Sequence, residues 1–437
     1  MSQSNPGSEG VSSGSDYSIQ SCFLIASDGS TADIANLIVN LNIYEDIFTP
    51  YMTGDATLGD SLDIISTFAL HGNEYIYIQL DKPSLNLPIG KTFRIYKVSD
   101  RTFDSQSLQN YKIHFCSEEL FLSTQKYMRK SYRGMSIDAM IKDILNKQLQ
   151  VNSDKINNGI FTSTAANYDI IIPRMQPLQA ALWLTTRAYN DSETLYFFFE
   201  NRDGYNFTSY ENLISKTPYT KYTRSPKVTP EPTENMNSIN YIKFVTDHDV
   251  IKGNRYGEFS TSMLTFDMLS RKYTRTDFSG QNLKPTSIIN KYLPANDSTN
   301  RFTQNLFQAP EAMQKFAHVV DSDPNRNPIK PESWLTKTAL KLAQLNSLKV
   351  VINVPADFLL KVGMVVELDL PLMAPQTVNE AFQKDPYKSG KYLITSVHHG
   401  MTGQIASTTL ELLSDSFSEE IPSSADVLGA LQYTKKL

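Results

Sequence analysis

The sequence predicts an α+β protein that is mainly β, and three observations carry the prediction. Aromatic residues make up 11% of the 437 residues, 23 Tyr and 22 Phe among them, and aromatic and β-branched side chains favour strands. Apolar residues alternate with polar ones in short runs near both ends of the chain, as in strands with one buried face. Between about residues 120 and 217 the apolar spacing changes to a helical period. At roughly 150 residues per domain the length suggests about three domains, with cores large enough to stand without a metal or a disulfide.

The polar stretch 1–17, rich in Ser, Gly and Asn, reads as a disordered tail without the features of a signal peptide. A first β domain is expected over 18–119. Leu37, Val39, Leu41 and Ile43 alternate, a turn-rich stretch surrounds a short strand at 54–61, and 75–80 is a strand. Residues 93–98 and 111–115 are a strand pair joined by a long polar loop, and Leu62, Ile65 and Ala69 suggest a short helix over 61–70. An α+β domain is expected over 120–217. Ser136 is placed to N-cap a helix carrying Ile137, Met140, Ile141, Ile144 and Leu145. Pro177 opens a second helix, and the strand 195–200 turns at Asn201-Arg202-Asp203-Gly204 into another strand. A second β domain is expected over 218–262 and 334–417. It starts with a Pro-punctuated strap at 218–232, has a strand or turn at 256–259 and a helix from Trp334, and ends in strands at 348–354, 364–370, 392–397 and 408–413. Residues 263–333 read as a surface insertion with a loop at 323–328, and 418–437 as a C-terminal segment with a short helix over 424–437.

Several function classes lose support. Lys plus Arg is 41 and Asp plus Glu is 46, a formal charge of −5, which lacks the cationic surplus of a DNA-gripping protein. Cys22 and Cys116 are too few for a disulfide scaffold and read as isolated thiols, although neighbouring strands would allow a bond. No apolar run reaches the roughly 18 residues of a membrane span, so no membrane insertion is expected. Of the six histidines, His71, His114, His248, His318, His398 and His399, none has a helical metal-ligand spacing. His398 and His399 should point to opposite faces of a strand. Phosphate-loop, dinucleotide and nucleophile-elbow motifs are missing. Glu118-Glu119 and Glu419-Glu420 could be proposed as a glycosidase pair but read as solvated rims. The runs Tyr75-Ile76-Tyr77 and Tyr196 to Phe199 could stack sugars but read as packing. No cofactor, metal or catalytic residue is expected.

One internal similarity stands out. Phe93-Arg94-Ile95-Tyr96-Lys97-Val98-Ser99 and Tyr111 to Glu118 match Tyr392-Leu393-Ile394-Thr395-Ser396-Val397-His398 and Ser407 to Asp415. Each is strand, loop, strand, then Ser and an acid, preceded by a Gly turn at Gly90 or Gly390. Hairpins are common, and coincidence stays open. If the repeat is real, one chain carries two similar β domains and a trimer has apparent six-fold symmetry.

Four stretches taken together extend this reading. They are Leu348 to Pro355, Leu360 to Leu368, Ser389-Gly390-Lys391-Tyr392-Leu393-Ile394 through His398-His399, and Thr409 to Ser416. In this order they resemble the closing module of baseplate hub proteins of contractile-tailed bacteriophages. Thr53 to Ser61, followed by Leu70 to Ile78, resembles the first tube-like domain of the same hubs, which are also related to secretion-system spike hubs. The similarity covers the two β regions, about half of the chain.

The resemblance implies two tail-tube-like antiparallel β-barrels, with the α+β domain and the surface insertion between and within them. It implies a homotrimer forming a pseudo-six-fold ring in the virion baseplate, made in the host cytoplasm. Its expected partners are the tail tube protein, the central spike protein and baseplate wedge proteins, while genomic DNA passes through unbound. No enzymatic activity is expected, and no hydrolase extension or triple-β-helix needle is visible, so a spike or hydrolase would be a separate chain. Subunit contacts are expected at the barrel strand edges, with Leu37, Val39, Leu41, Tyr77, Val350, Ile352, Ile394 and Ser396 as candidates. The alternatives are a tail-associated cell-wall or glycan hydrolase and a receptor- or carbohydrate-binding tail protein.

Overall fold

The structure, a computed structural model, describes residues 18–68, 70, 72–81, 89–105, 108–164, 168–190, 193, 195–224, 237–247, 249–268, 270–279, 288–292, 314–319, 331–372, 384–403 and 405–419. The expected tail at 1–17, the loop at 323–328 and the helix at 424–437 lie outside these residues, as do His71 and His248.

Seven strands form the first β region: β1 (Ser18–Ile25), β2 (Thr31–Asp33), β3 (Ile38–Asp46), β4 (Thr53–Asp60), β5 (Tyr75–Asp81), β6 (Ile89–Ser105) and β7 (Leu108–Cys116). The middle region carries β8 (Met128–Met135), β9 (Tyr168–Met175), β10 (Tyr196–Glu200) and β11 (Tyr205–Ser209). Then come β12 (Lys221–Thr223), β13 (Tyr241–Asp247), β14 (Ser260–Asp267), β15 (Lys272–Ser279) and β16 (Gln314–Val319). The last four are β17 (Leu348–Pro355), β18 (Val365–Asp369), β19 (Gly390–Thr402) and β20 (Ile405–Ser414).

The protein is mainly antiparallel β. Strands of the first and last regions belong to one 13-stranded sheet, in the order β13-β17-β20-β19-β3-β4-β7-β6-β5-β1-β2, with β18 and β12 branching from β19. Two closed barrels were expected; among the described residues the sheet is open, its path ending at β13 and β2. The reason lies in β19. Its start pairs with β18 and its far half pairs with β3, so the strand that could close one region instead fuses it to the other.

Within this sheet the internal repeat has a topological form. β3-β4-β7-β6-β5 and β13-β17-β20-β19-β18 have the same order when strands are counted along the chain: first, second, fifth, fourth, third. All eight pairings within these units are antiparallel. The two hairpins even shift register at the same step, after Ile95 opposite Phe115 and after Ile394 opposite Leu412. The long polar loops expected inside these hairpins are mostly strand: β6 runs on to Ser105 and β19 to Thr402. Polar residues misled the reading there because one face of each extension is not covered by core.

Sequence periodicity placed the helix Ile137–Lys147 and the Pro177–Thr185 helix correctly, with Pro177 in its first turn. Ser136 occupies the N-cap but makes no side-chain cap hydrogen bond. The helix expected over 61–70 shrinks to Ile64–Thr67, and Leu62 is exposed. β8 and β9 were missed, since Arg129, Lys130 and Arg133 break the alternation. The strand or turn expected at 256–259 is the end of a helix, Val250–Tyr256, closed by Gly257 in the left-handed conformation. The expected insertion contains part of a three-stranded sheet, β15-β14-β16, and Met263 in it is buried.

Among the described residues, three cores hold the molecule together. The run Tyr196 to Phe199 shows how they interlock: Phe197 and Phe199 pack into the core of the second β region, Tyr196 and Phe198 into that of the middle region. A strand buried on both faces shows no polar alternation, which is why this run reads as continuously apolar. Gly204 of the following turn (φ +152°) meets the Lys155 carbonyl so closely that a Cβ would sit 2.0 Å from its oxygen. Phe358, Met401 and Ala406 cross from the second region into the core of the first.

Candidate assembly interface

The joint between the two β regions is made by β3 and β19. They run antiparallel, from Asp46 opposite Ser396 to Asn40 opposite Thr402. Asn42 donates its amide N–H to Asp55 (2.9 Å), which leaves its oxygen facing His398 Nε2 at 2.9 Å. That contact places the proton of a neutral imidazole on Nε2. The His398 ring stacks on Tyr44 with centroids 4.6 Å apart, and burial lowers its pKa. Ser396 donates to the Glu45 carbonyl (3.1 Å), and the Ile47 amide donates to the Thr395 carbonyl (2.8 Å). His399 points the other way, as the alternation requires, against Phe358 and Thr408 Oγ1. Burial pushes it down to about 3, so it is neutral at physiological pH.

The middle region is clamped across this joint. Glu45, 2% exposed, accepts the Arg202 amide on one oxygen (3.0 Å) and the Val362 amide on the other (3.2 Å), so one carboxyl ties β3 to two distant segments. Desolvation pushes it up to about 7. Nearby, Lys91 of β6 pairs with Glu200 of β10 (2.9 Å), and Lys155 bridges Glu119 (2.7 Å) and Glu200 (3.6 Å). The two lysines hold the fully buried Glu200 ionised against its desolvation, while burial and the charge of Glu200 push Glu119 up. Glu119 was expected on a solvated rim. It is buried because the helix Glu118–Thr124 folds it inward toward Lys155. This knot ties separate parts of the chain together, with side chains of Glu119 and Glu200 at 7% and 0% exposure.

The second region has its own knot. Asp415 and Lys341 pair at 2.6 Å with both side chains fully buried. Asp415 also accepts from the Tyr210 hydroxyl (2.9 Å), the Ile289 amide (3.0 Å) and Ser416 Oγ (2.8 Å), and Lys341 lies over the Tyr210 ring. Cys22 and Cys116 are free, buried thiols, each pushed up to about 12 mainly by desolvation.

The eight candidate contact residues fall in different places. Leu41, Val350, Ile352 and Ile394 point into this chain's own cores. Val39 is half exposed, and Leu37, Tyr77 and Ser396 are partly buried. The strands carrying seven of them, β3, β5, β17 and β19, have neighbours on both sides, and Leu37 sits in a 3₁₀ turn. Alternation identified the buried face of each strand, and a buried face is distinct from a free edge. Edges were invisible in the sequence because strand order is set by distant pairings. Among the described residues, open edges of the large sheet include the outer sides of β13, β2 and β12 and the far half of β6, which pairs only with β7 from Lys97 onward. Two of them carry exposed apolar side chains, Tyr241 and Val245 on β13 and Phe103 on β6.

No protein-family model and no curated protein matches the sequence. Solved structures do match it. The tail protein from Neisseria meningitidis MC58 superposes with a TM-score of 0.53 at 12% identity, over 91% of this chain and 97% of that one. The 43 kDa tail protein of prophage MuSo2 from Shewanella oneidensis gives 0.52 at 9% identity, over 92% and 100%. The chain has the fold of phage tail proteins. At these identities the tail-protein fold is what is shared, and it spans nearly the whole chain. It therefore includes the middle region, which the sequence motifs did not reach.

Proposed function

We propose that this chain is a structural hub of a phage tail baseplate. On this reading it is a homotrimer whose six five-stranded units form a pseudo-six-fold ring, joining the tail tube protein to the central spike and touching baseplate wedge proteins. One observation carries it: a single chain holds two units of identical strand order, fused edge to edge into one sheet. Two quasi-equivalent units per chain let three copies present six similar positions, which is what a junction between six-fold and three-fold partners requires. The tail-protein fold supports the same reading. So does the charge of −5, since a ring around passing DNA gains from weak counterion-release affinity.

The reading assigns the chain no catalysis. The buried carboxylates Glu119 and Glu200 are spoken for by Lys91 and Lys155 in a buried knot. Light scattering and negative-stain microscopy of the purified protein test the reading. A threefold ring with a central hole is expected, and a monomer at micromolar concentration would overturn it. Lysis of cell walls that a single carboxylate substitution abolishes would favour a hydrolase instead.

A further inference from the structure

We propose that copies of this chain join head to tail by strand addition: β13 of one copy pairs with the outer side of the far half of β6 in the next, in the register that β3 and β19 use within the chain. This rests on the trimeric reading for the number of copies and adds to it the strands, their register and the residues that meet.

Within their units, β3 and β13 are both the first strand, and β19 and β6 are both the fourth. The joint inside the chain is therefore the first strand of one unit added to the fourth strand of the other. Only one such joint is made within the chain. The reciprocal pair, first strand β13 and fourth strand β6, is left with both outer edges open among the described residues. An open strand edge invites pairing with another chain.

The register can be carried across. Ile352 opposite Leu410 corresponds to Ala56 opposite Ile113, so Lys243 stands where Asn42 does, Ile242 where Leu41 does and Thr246 where Tyr44 does. Likewise Thr102 stands where Gly400 does, Phe103 where Met401 does and Ser99 where His398 does. Within the chain Asn42 faces Gly400, Leu41 faces Met401 and Tyr44 faces His398. Between copies, Lys243 then faces Thr102, Ile242 faces the exposed Phe103, and Thr246 faces Ser99. An apolar pair and a hydroxyl pair are both favourable cross-strand neighbours.

The irregularities agree as well. In the joint inside the chain, one residue on each strand, Ile43 and His399, separates the pair Asn42 and Gly400 from the pair Tyr44 and His398. β13 has an extra residue at that step, so Phe244 and Val245 lie between Lys243 and Thr246, and the partner register shifts there. β6 has an extra residue at the same step, so Asp100 and Arg101 lie between Ser99 and Thr102, with Asp100 in the left-handed region at φ 55°. Two bulges that each disturb pairing inside the chain match in length between copies, and the ladder stays in step on both sides of them.

The test uses the full chain with Thr102→Cys and Lys243→Cys together, both at exposed positions. Directly opposed residues have Cβ atoms about 4.5–5.5 Å apart, close enough for a disulfide after small adjustment, while Cys22 and Cys116 are buried. Mild oxidation is expected to convert most of the protein to reducible, covalently closed trimers on denaturing gels. The pair Phe103→Cys and Lys243→Cys, whose side chains would lie on opposite faces, is expected to stay unlinked. A trimer by light scattering that does not cross-link, or that links only through the shifted pair, overturns this strand pairing and leaves the trimeric reading standing. Cross-linked rings of another number support the pairing and sink the trimer. Monomers without cross-links overturn both.

Discussion

The two five-stranded units share strand order and hairpin bulge, yet they differ in how their ends are used. In the second unit the fourth strand, β19, is covered by β3, and the acid after the hairpin, Asp415, is fully buried among Lys341, Tyr210, Ile289 and Ser416. In the first unit the far half of β6 is bare, and the matching acid, Glu118, is half buried with the Tyr75 hydroxyl as its partner at 2.6 Å. The same Ser-acid ending is a keystone in one unit and a helix-start contact in the other. Position in the fold, and not local sequence, decides what a repeated motif does.

The largest expected effect tests that contrast directly. Lys341→Met leaves Asp415 as an unpaired buried charge and should cost about 3–5 kcal/mol, whereas Glu118→Gln should cost about 1 kcal/mol. Urea unfolding measures both, and equal losses would erase the distinction. A second test uses packing at equivalent positions. Gly54 faces Phe115 where Val350 faces Leu412, and a Cβ on Gly54 would lie 2.3 Å from the Phe115 ring and 2.5 Å from the Asn42 carbonyl oxygen. Gly54→Val should destabilise by about 1–3 kcal/mol, and adding Phe115→Leu, which imitates the second unit, should recover part of the loss. No recovery would mean that the Asn42 carbonyl, and not the Phe115 ring, sets the limit at Gly54.

The joint itself gives a smaller, pH-dependent signal. His399 titrates near 3 in the folded chain, below its unfolded value. A lowered pKa contributes stability that is present above about 6.5 and lost as pH falls toward 3. The stability advantage of the native chain over His399→Leu should therefore shrink by about 1 kcal/mol between pH 7 and pH 5.5, and a constant difference across that range would contradict a neutral His399. Glu45, raised to about 7, works in the opposite sense, losing stability as pH rises from about 4.5 to 7; the comparison with the variant cancels that contribution. The smallest effect belongs to the bare edge. Phe103 is 72% exposed within one copy, and Phe103→Ser should cost the assembled protein about 0.2–1 kcal/mol of unfolding free energy through the lost cross-strand pair with Ile242 of the next copy. A larger loss would show that this edge is already covered within one chain.

Legibility followed the range of the interactions. The Ile137–Lys147 helix, the Pro177 helix start and the Asn201–Gly204 turn were readable because each is fixed by residues a few positions apart. The charged strands β8 and β9 were not, because their pairing with each other and not their own alternation makes them strands. The hairpin similarity was visible as a pattern, and its Ser-acid ending proved to lie at equivalent strand positions. Glu119 and Glu200 gave no hint of their pairing, since Lys91 and Lys155 come from distant segments.

By itself, then, the sequence determined which segments extend, which coil and which faces are apolar, because side-chain periodicity and turn residues act over one or two turns of chain. Tertiary structure alone decided that the far half of β19 would take β3 on its other side, that Glu45 and Asp415 would be buried as ties, and that β6 and β13 would keep open edges among the described residues. Backbone hydrogen bonds between strands are blind to sequence separation, so the choice of partner depends on the whole packed chain.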